Sequence, residues 1–299
     1  MSALSGIIPA LITPFDTDNN VDGPSLRRLV AWQIAAGADG LLVNGLAGEG
    51  IYLSLAERER VTEIVVGAAD GLPILVGCTA DTTENACYLA RGAAERGAAA
   101  VMVAPPRQPT WSQEQFRVHY RAVAAASDCE LMVQDAPFAI GVELGVELVL
   151  ELAAELDTIR SYKSEALPYW ENATRARAVT GDRLGVFGGH GGVYLMDVLD
   201  AGSVGLIPGA DVTATLVHAW NAYQAGDRTS ANDAYLRVLP LLVFQAQSLG
   251  LLIGGAKTLL QAHGVIQETH SRHVDANLSE TTRQRMLWQA RAVGELPES

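Results

Sequence analysis

Eight short apolar segments, each followed by a stretch of helical periodicity, constrain this chain more than any other feature. They run roughly over Ile7–Thr13, Gly40–Asn44, Ile74–Cys78, Ala100–Ala104, Glu130–Asp135, Ile159–Lys163, Leu184–Gly188 and Val204–Pro208. Continuous apolar runs of this length are what strands buried on both faces look like. Neighbouring segments start about 25–35 residues apart, the length of one βα unit. Eight such units predict an α/β chain folded as a (β/α)8 (TIM) barrel over residues 1–225. A doubly wound sheet would carry a glycine-rich phosphate turn after its first strand. Here that strand runs into Thr13-Pro14-Phe15-Asp16 instead.

Helix boundaries are also written in the sequence. Ser54 with Glu57, Asp81 with Glu84 and Ser112 with Gln115 have capping-box spacing. Pro24 suits a first helical turn, and Gly37, Gly71 and Gly97 fall where helices should end. Beyond residue 226 the alternation stops. Ala231–Leu249, Gly255–His263 and Ser279–Val293 read as three helices with no strand between them. They predict a C-terminal helical extension over 226–299, packed on the barrel and offering an oligomer surface.

Composition removes several classes of function. The net charge is −13 and no Lys/Arg cluster occurs, which excludes a nucleic-acid binder. No apolar run approaches the ~18 residues of a membrane span, and Met1–Gly6 lacks the regions of a signal peptide. Cys78, Cys87 and Cys129 are odd in number and not spaced as metal ligands, as in a reduced cytoplasmic protein. His119, His190, His218, His263, His270 and His273 are scattered and form no metal motif. Neither a metal nor a cofactor is expected.

Of 21 basic residues two are lysines, leaving 19 arginines. A chain that uses arginine for ordinary surface charge needs a reason for each lysine. Lys163 ends the sixth strand, and barrel enzymes place their active groups at strand C-termini. A neutral amine attacks a carbonyl and forms an iminium that withdraws electrons from the adjacent carbon; arginine cannot. The bland alternative is a strand-end lysine paired with Glu165. Lys257 sits in a helical stretch and reads as a helix-surface or subunit-contact residue.

Other candidates lie at the same end of the barrel. Gly45-Leu46-Ala47-Gly48-Glu49-Gly50 follows the second strand, and its amides can point at a carboxylate. Glu49 would orient that loop. Gln134 and Asp135 close the fifth strand; Asp135 can carry a proton, whereas Gln134 can only hydrogen-bond. His190 lies in the glycine cluster Gly188–Gly192 after the seventh strand, an acid/base position.

These residues resemble the dihydrodipicolinate synthase/N-acetylneuraminate lyase superfamily. Gly6 to Phe15 is similar to its first strand, Gly45 to Glu49 to its Gly-Thr-Thr-Gly-Glu loop, and Pro105-Pro106 to the turn after strand four. Lys163 falls on its imine-forming lysine, and Gly205-Leu206-Ile207-Pro208-Gly209 on its last strand. The resemblance implies a (β/α)8 barrel, dimeric or tetrameric, acting on a small 2-oxo acid. It implies a site built on the Lys163 imine, with Gly45, Leu46, Ala47, Gly48, Glu49, Ile207 and Pro208 at the substrate; Gln134, Asp135 and His190 join it as candidates from their strand-end positions, and His190 has no counterpart in the family pattern.

Departures from the family pattern bear on the substrate. Gln134 stands where the family carries a tyrosine, Leu46 and Ala47 replace two threonines, and Arg107 and Gln108 replace a tyrosine pair. The synthase's carboxylate-binding arginine would fall near Ala139. Gln134-Asp135-Ala136-Pro137, with Gly141-Val142, is similar instead to the 2-keto-3-deoxy-L-arabonate dehydratases of the superfamily. Dehydration of a 2-keto-3-deoxy sugar acid through the Lys163 imine is therefore the leading expectation. The alternatives are pyruvate-dependent aldol or synthase-type condensation, binding of a phosphorylated sugar by the loops after strands seven and eight, and a non-catalytic 2-oxo acid binder. With the tyrosine gone, His190, Asp135, Tyr52 or a water must move the proton.

Overall fold

The computed structural model describes residues 4–297, so the first three residues of the Met1–Gly6 segment lie outside it. Eight parallel strands form one curled sheet: β1 (Gly6–Ile7), β2 (Leu41–Val43), β3 (Ile74–Gly77), β4 (Ala100–Val103), β5 (Glu130–Asp135), β6 (Ile159–Ser164), β7 (Gly185–Gly188) and β8 (Gly205–Leu206). The spatial order is β1-β8-β7-β6-β5-β4-β3-β2. Ala10 bridges Leu42 on one side and Gly209 on the other, which brings the two edges together as a barrel requires. The first strand is shorter than its apolar run predicts. Pro9 has no N–H to donate, so regular pairing stops there and resumes as the bridge at Ala10.

The helices between strands are α1 (Gly23–Ala35), α2 (Leu55–Ala68), α3 (Thr83–Glu95), α4 (Gln113–Ala126), α5 (Pro137–Ile140), α6 (Val146–Glu155), α7 (Tyr169–Thr180) and α8 (Leu195–Asp200). After the last strand come α9 (Thr213–Gln224), α10 (Arg228–Gln245), α11 (Leu249–Ala262) and α12 (Glu280–Ala292). The capping boxes at Ser54 and Ser112 form as expected. The third does not. Asp81 is held by Arg107 at 3.1 and 3.0 Å, and Thr82 caps α3 by accepting from Asn85.

Period-two alternation splits the strand side chains between two environments. Ile8, Leu42, Leu75, Met102, Met132, Phe187 and Ile207 fill the barrel interior. Their neighbours face the helices: Leu41, Val43, Val76, Val103 and Val133 pack against α1 to α6 residues, and Ile7 and Leu206 against α8 to α12. Gly205 carries no side chain because a Cβ there would lie 2.6 Å from the Phe187 ring.

One expectation is overturned in this part of the fold. Lys257 is not on a helix surface; it is fully buried. Its Nζ donates to Glu49 Oε1 at 2.5 Å and to the His270 carbonyl at 2.7 Å, and lies 4.6 Å from the centre of the Phe15 ring. An ammonium removed from water needs such partners, and α11 carries it inward toward the loop after β2.

Asp211, just past β8, is a second buried ionisable group, holding Gln245 of α10 through Oδ2 at 2.6 Å. Burial raises its carboxyl from 3.8 to about 6. The folded state thus binds this proton more tightly than the unfolded chain does. The associated stability is complete at low pH and is lost as pH rises from 3.8 toward 6. In Asp211→Asn that loss disappears. Relative to the parent, the variant should gain stability across this window in denaturant titrations at a series of pH values; a pH-independent difference would contradict the assignment.

Candidate active site

Strand β6 places Ser161 and Lys163 on the inward side and Tyr162 on the helix side, and Glu165, the residue just past its end, continues the inward row. Register pairs Lys163 with Gln134 of β5 and with Phe187 of β7, so the three form one inward-facing row. Lys163, only 6% exposed, points up this axis into a cavity at the C-terminal end of the barrel. Ala10, Leu42, Leu46, Ala47, Ile207 and Pro208 give the cavity an apolar wall. Gln134, Glu165 and His190 bring polar groups to it.

Glu165 organises these groups. Its Oε2 lies 3.1 Å from Lys163 Nζ and accepts from Gln134 Nε2 at 2.7 Å. Its Oε1 accepts from the His190 backbone N–H at 2.6 Å. Burial alone would raise this carboxyl strongly. The Lys163 charge, the His190 amide and the Gln134 side chain outweigh burial and hold it below the ordinary carboxylate range. Gly189 is the residue that makes room: a Cβ there would fall 2.2 Å from Glu165 Oε1. With Nε2 committed to Glu165, Gln134 Oε1 is buried without a hydrogen-bond partner among the described residues. A buried acceptor left open in a cavity is a place for a donor on a ligand.

His190 adopts a left-handed backbone (φ 51°), an uncommon conformation for a non-glycine residue. Its half-buried ring stands over the cavity mouth, edge-on to Phe138 at 4.8 Å and next to Tyr169 and Tyr194. The Tyr169 hydroxyl meets Nδ1 at 3.3 Å. Burial lowers the imidazole from 6.5, partly countered by Glu165, so the ring is neutral near pH 7 and able to accept a proton.

The loop after β2 supplies backbone donors. Leu46 and Ala47 line the cavity, and the amides of Leu46, Ala47 and Gly48 have no partner among the described residues. Glu49 itself does not reach the cavity: its carboxylate turns away to Lys257 and to Ser271, Arg272 and His273.

Two proton-carrier expectations are corrected by the geometry. Asp135 faces the helix layer, one residue out of phase with Gln134, and both carboxylate oxygens accept backbone amides of Leu144 and Gly145 at 3.1 Å. It anchors the connection between α5 and α6. Tyr52 is 41% exposed and stacks edge-on against His273, outside the cavity lining. Sequence reasoning weighed Glu165 only as a bland partner for Lys163 and missed Phe138. It also missed Ala246, Ser248, Leu249 and Leu252, which close one side of the cavity from the α10–α11 junction. The signal for Glu165 was present in the i, i+2 spacing from Lys163, which puts both on one face of a strand.

A lysine amine and a carboxylate enclosed in a barrel mouth, with open amides in the loop after β2, define a class: a lyase working through a lysine imine. Sequence comparison agrees. A profile described as the dihydrodipicolinate synthetase family matches residues 3–292. A 4-hydroxy-tetrahydrodipicolinate synthase from Acidobacterium capsulatum is 33% identical over 303 residues, covering 99% of this chain and 98% of the relative. One from Synechococcus sp. is 33% identical over 247 residues, covering 80% and 79%. The crystal structure of dihydrodipicolinate synthase from Rhodopseudomonas palustris superposes with a TM-score of 0.90 at 27% identity, covering 97% of both chains. The chain belongs to the dihydrodipicolinate synthetase family, and it is a lyase of that family.

Both perturbed groups beside Lys163 titrate below their ordinary values. The acid limb of kcat/KM is therefore expected below pH 6.5, and a limb at or above 6.5 would show that His190 is not the neutral, desolvated ring described. Glu165→Gln keeps the shape and removes the carboxylate beside Lys163; kcat should fall by about two to four orders of magnitude.

Proposed function

We propose that this chain is a Schiff-base lyase acting on a 2-oxo acid, with dehydration of a 2-keto-3-deoxy sugar acid as its reaction. The observation that carries the proposal is the Glu165 carboxylate 3.1 Å from Lys163, in a cavity whose lining includes no tyrosine and no arginine among the described residues.

The chemistry follows from that geometry. Lys163 loses a proton to Glu165 and attacks C2; water leaves as the imine forms. The open amides of Leu46, Ala47 and Gly48 receive the substrate carboxylate. The iminium acidifies C3, and Glu165, again ionised, removes the C3 proton to give an enamine. Protonated Glu165 or His190 then delivers a proton to the C4 hydroxyl, which departs as water as the enamine electrons move out. Hydrolysis of the imine frees Lys163. Gln134 holds Glu165 through Nε2 and offers Oε1 to a substrate hydroxyl. With no arginine in the lining, the far end of the substrate has no cation to meet, which suits a neutral polyol tail better than a second carboxylate.

A second reading is aldol-type chemistry, in which the enamine attacks an aldehyde or is released by C3–C4 cleavage. The names of the relatives favour it, since those cited are called 4-hydroxy-tetrahydrodipicolinate synthases. We further propose that residues 1–225 form the barrel unit, that 226–299 form a helical extension packed on it, and that the protein works as a dimer or tetramer in the cytoplasm. Three cysteines without disulfides fit a reducing compartment.

Reduction with borohydride in the presence of pyruvate should leave a pyruvyl adduct on Lys163, located by mass spectrometry and missing in Lys163→Arg. With the adduct in hand, turnover of 2-keto-3-deoxy sugar acids with loss of water supports dehydration. Consumption of pyruvate with an aldehyde acceptor supports the second reading. The absence of any adduct with pyruvate or longer 2-oxo acids would remove the imine and both readings with it.

A further inference from the structure

Glu49 and Lys257 form a fully buried ion pair that the chemistry above does not use. It links regions more than 200 positions apart in sequence, the loop after β2 and helix α11. Both Glu49 oxygens are saturated from the same side. Oε1 takes Lys257 Nζ at 2.5 Å; Oε2 takes the Ser271 hydroxyl at 2.7 Å and the amides of Arg272 and His273 at 2.7 and 2.9 Å. Arg272 continues the connection outward, bidentate to Glu57 at the start of α2 and bonded to the Asn19 carbonyl at 2.7 Å.

The other end of Glu49 belongs to the turn that carries the open amides. Its backbone N–H closes that turn on the Leu46 carbonyl at 3.1 Å, and its backbone is left-handed (φ 56°). Next to it, Gly50 passes so close to Asn44 that a Cβ would fall 2.1 Å from the Asn44 carbonyl oxygen. The turn is thus wound tightly on the end of β2, where the Thr13 hydroxyl also donates to the Gly48 carbonyl at 2.6 Å. On the side away from the cavity, Glu49 fastens it to α11 and to residues 271–273.

We propose that Glu49 is a positioning residue: anchored by Lys257 and by residues 271–273, it sets the direction of the Leu46, Ala47 and Gly48 amides for the carboxylate of a 2-oxo acid. The inference rests on the reading that these amides receive that carboxylate, and it makes the C-terminal segment part of the substrate-affinity machinery. The choice of lysine follows. A compact ammonium fits a site closed on all sides and lies against the Phe15 ring, where the branched plane of an arginine needs more room.

The test compares the parent with Ser271→Ala, Glu49→Gln and the double variant Glu49→Gln/Lys257→Met. Hydrogen exchange is read on peptides covering residues 44–50 and 268–275, and half-saturating pyruvate is read from the borohydride-trapped adduct on Lys163. Exchange should rise in both peptides together. In the double variant, which leaves no buried charge unpaired, half-saturating pyruvate should rise about tenfold while the adduct at saturation stays within about twofold. Ser271→Ala removes one donor and should show the same pattern at smaller size; it carries the test if Glu49→Gln fails to fold. The proposal is overturned if residues 268–275 loosen while 44–50 do not, or if half-saturating pyruvate is unchanged in variants whose exchange has risen. A parent that forms no adduct would count against the imine, and the exchange measurement would still decide the anchor.

Discussion

A charge can be kept out of water only if something else holds it, and the two lysines of this chain show two solutions to that problem. Lys257 is closed off completely, and the structure around it is built as a set of acceptors. Lys163 is enclosed on the strand side and left facing a cavity, with one carboxylate beside it. Removing one partner from a buried pair typically costs about 3–5 kcal/mol. Each glutamate is therefore fixed as firmly as its lysine, and the loops that carry Glu49 and Glu165 inherit that rigidity. The strand-end architecture of the barrel supplies both positions.

The site divides its tasks by element. The end of β6 presents the amine and the residue just past it the carboxylate, strand β5 presents the amide that orients the carboxylate, and the turn after β7 adds an N–H and an imidazole. The loop after β2 gives backbone donors, and the α10–α11 junction covers the side facing the C-terminal helices. Because Gln134, Lys163, Glu165 and His190 are each held by a polar partner, the site is pre-set before any ligand arrives. Gln134 Oε1 is the exception, and it is an acceptor waiting for a donor.

Much of this was legible in the residues. Strand position and type follow from the apolar runs, whose ends shift by only a few residues except at Pro9. The rarity of lysine singled out Lys163, which the structure places in the cavity beside Glu165. The same reasoning misjudged Lys257, because helical periodicity cannot reveal which partner waits across a loop more than 200 positions away in sequence. Asp135 looked chemical beside Gln134, yet strand alternation sends neighbours to opposite faces, and only Gln134 turns inward. Glu165 was weighed only as a partner for Lys163 because sequence shows adjacency along a strand far more readily than convergence of three strand ends on one carboxylate.

The scarcity of lysine has a consequence for how the molecule meets reactive small compounds. Its outer surface carries guanidinium groups where most proteins carry primary amines, and neither lysine is exposed there. Aldehydes, acylating agents and amine-directed cross-linkers find no lysine on the exterior. Lys257 is sealed, which leaves Lys163 as the one lysine amine that a small electrophile can approach, and then only by way of the cavity. An enzyme that handles carbonyl compounds is in this way shielded from decoration by them. Lysine labelling becomes close to a titration of a single position.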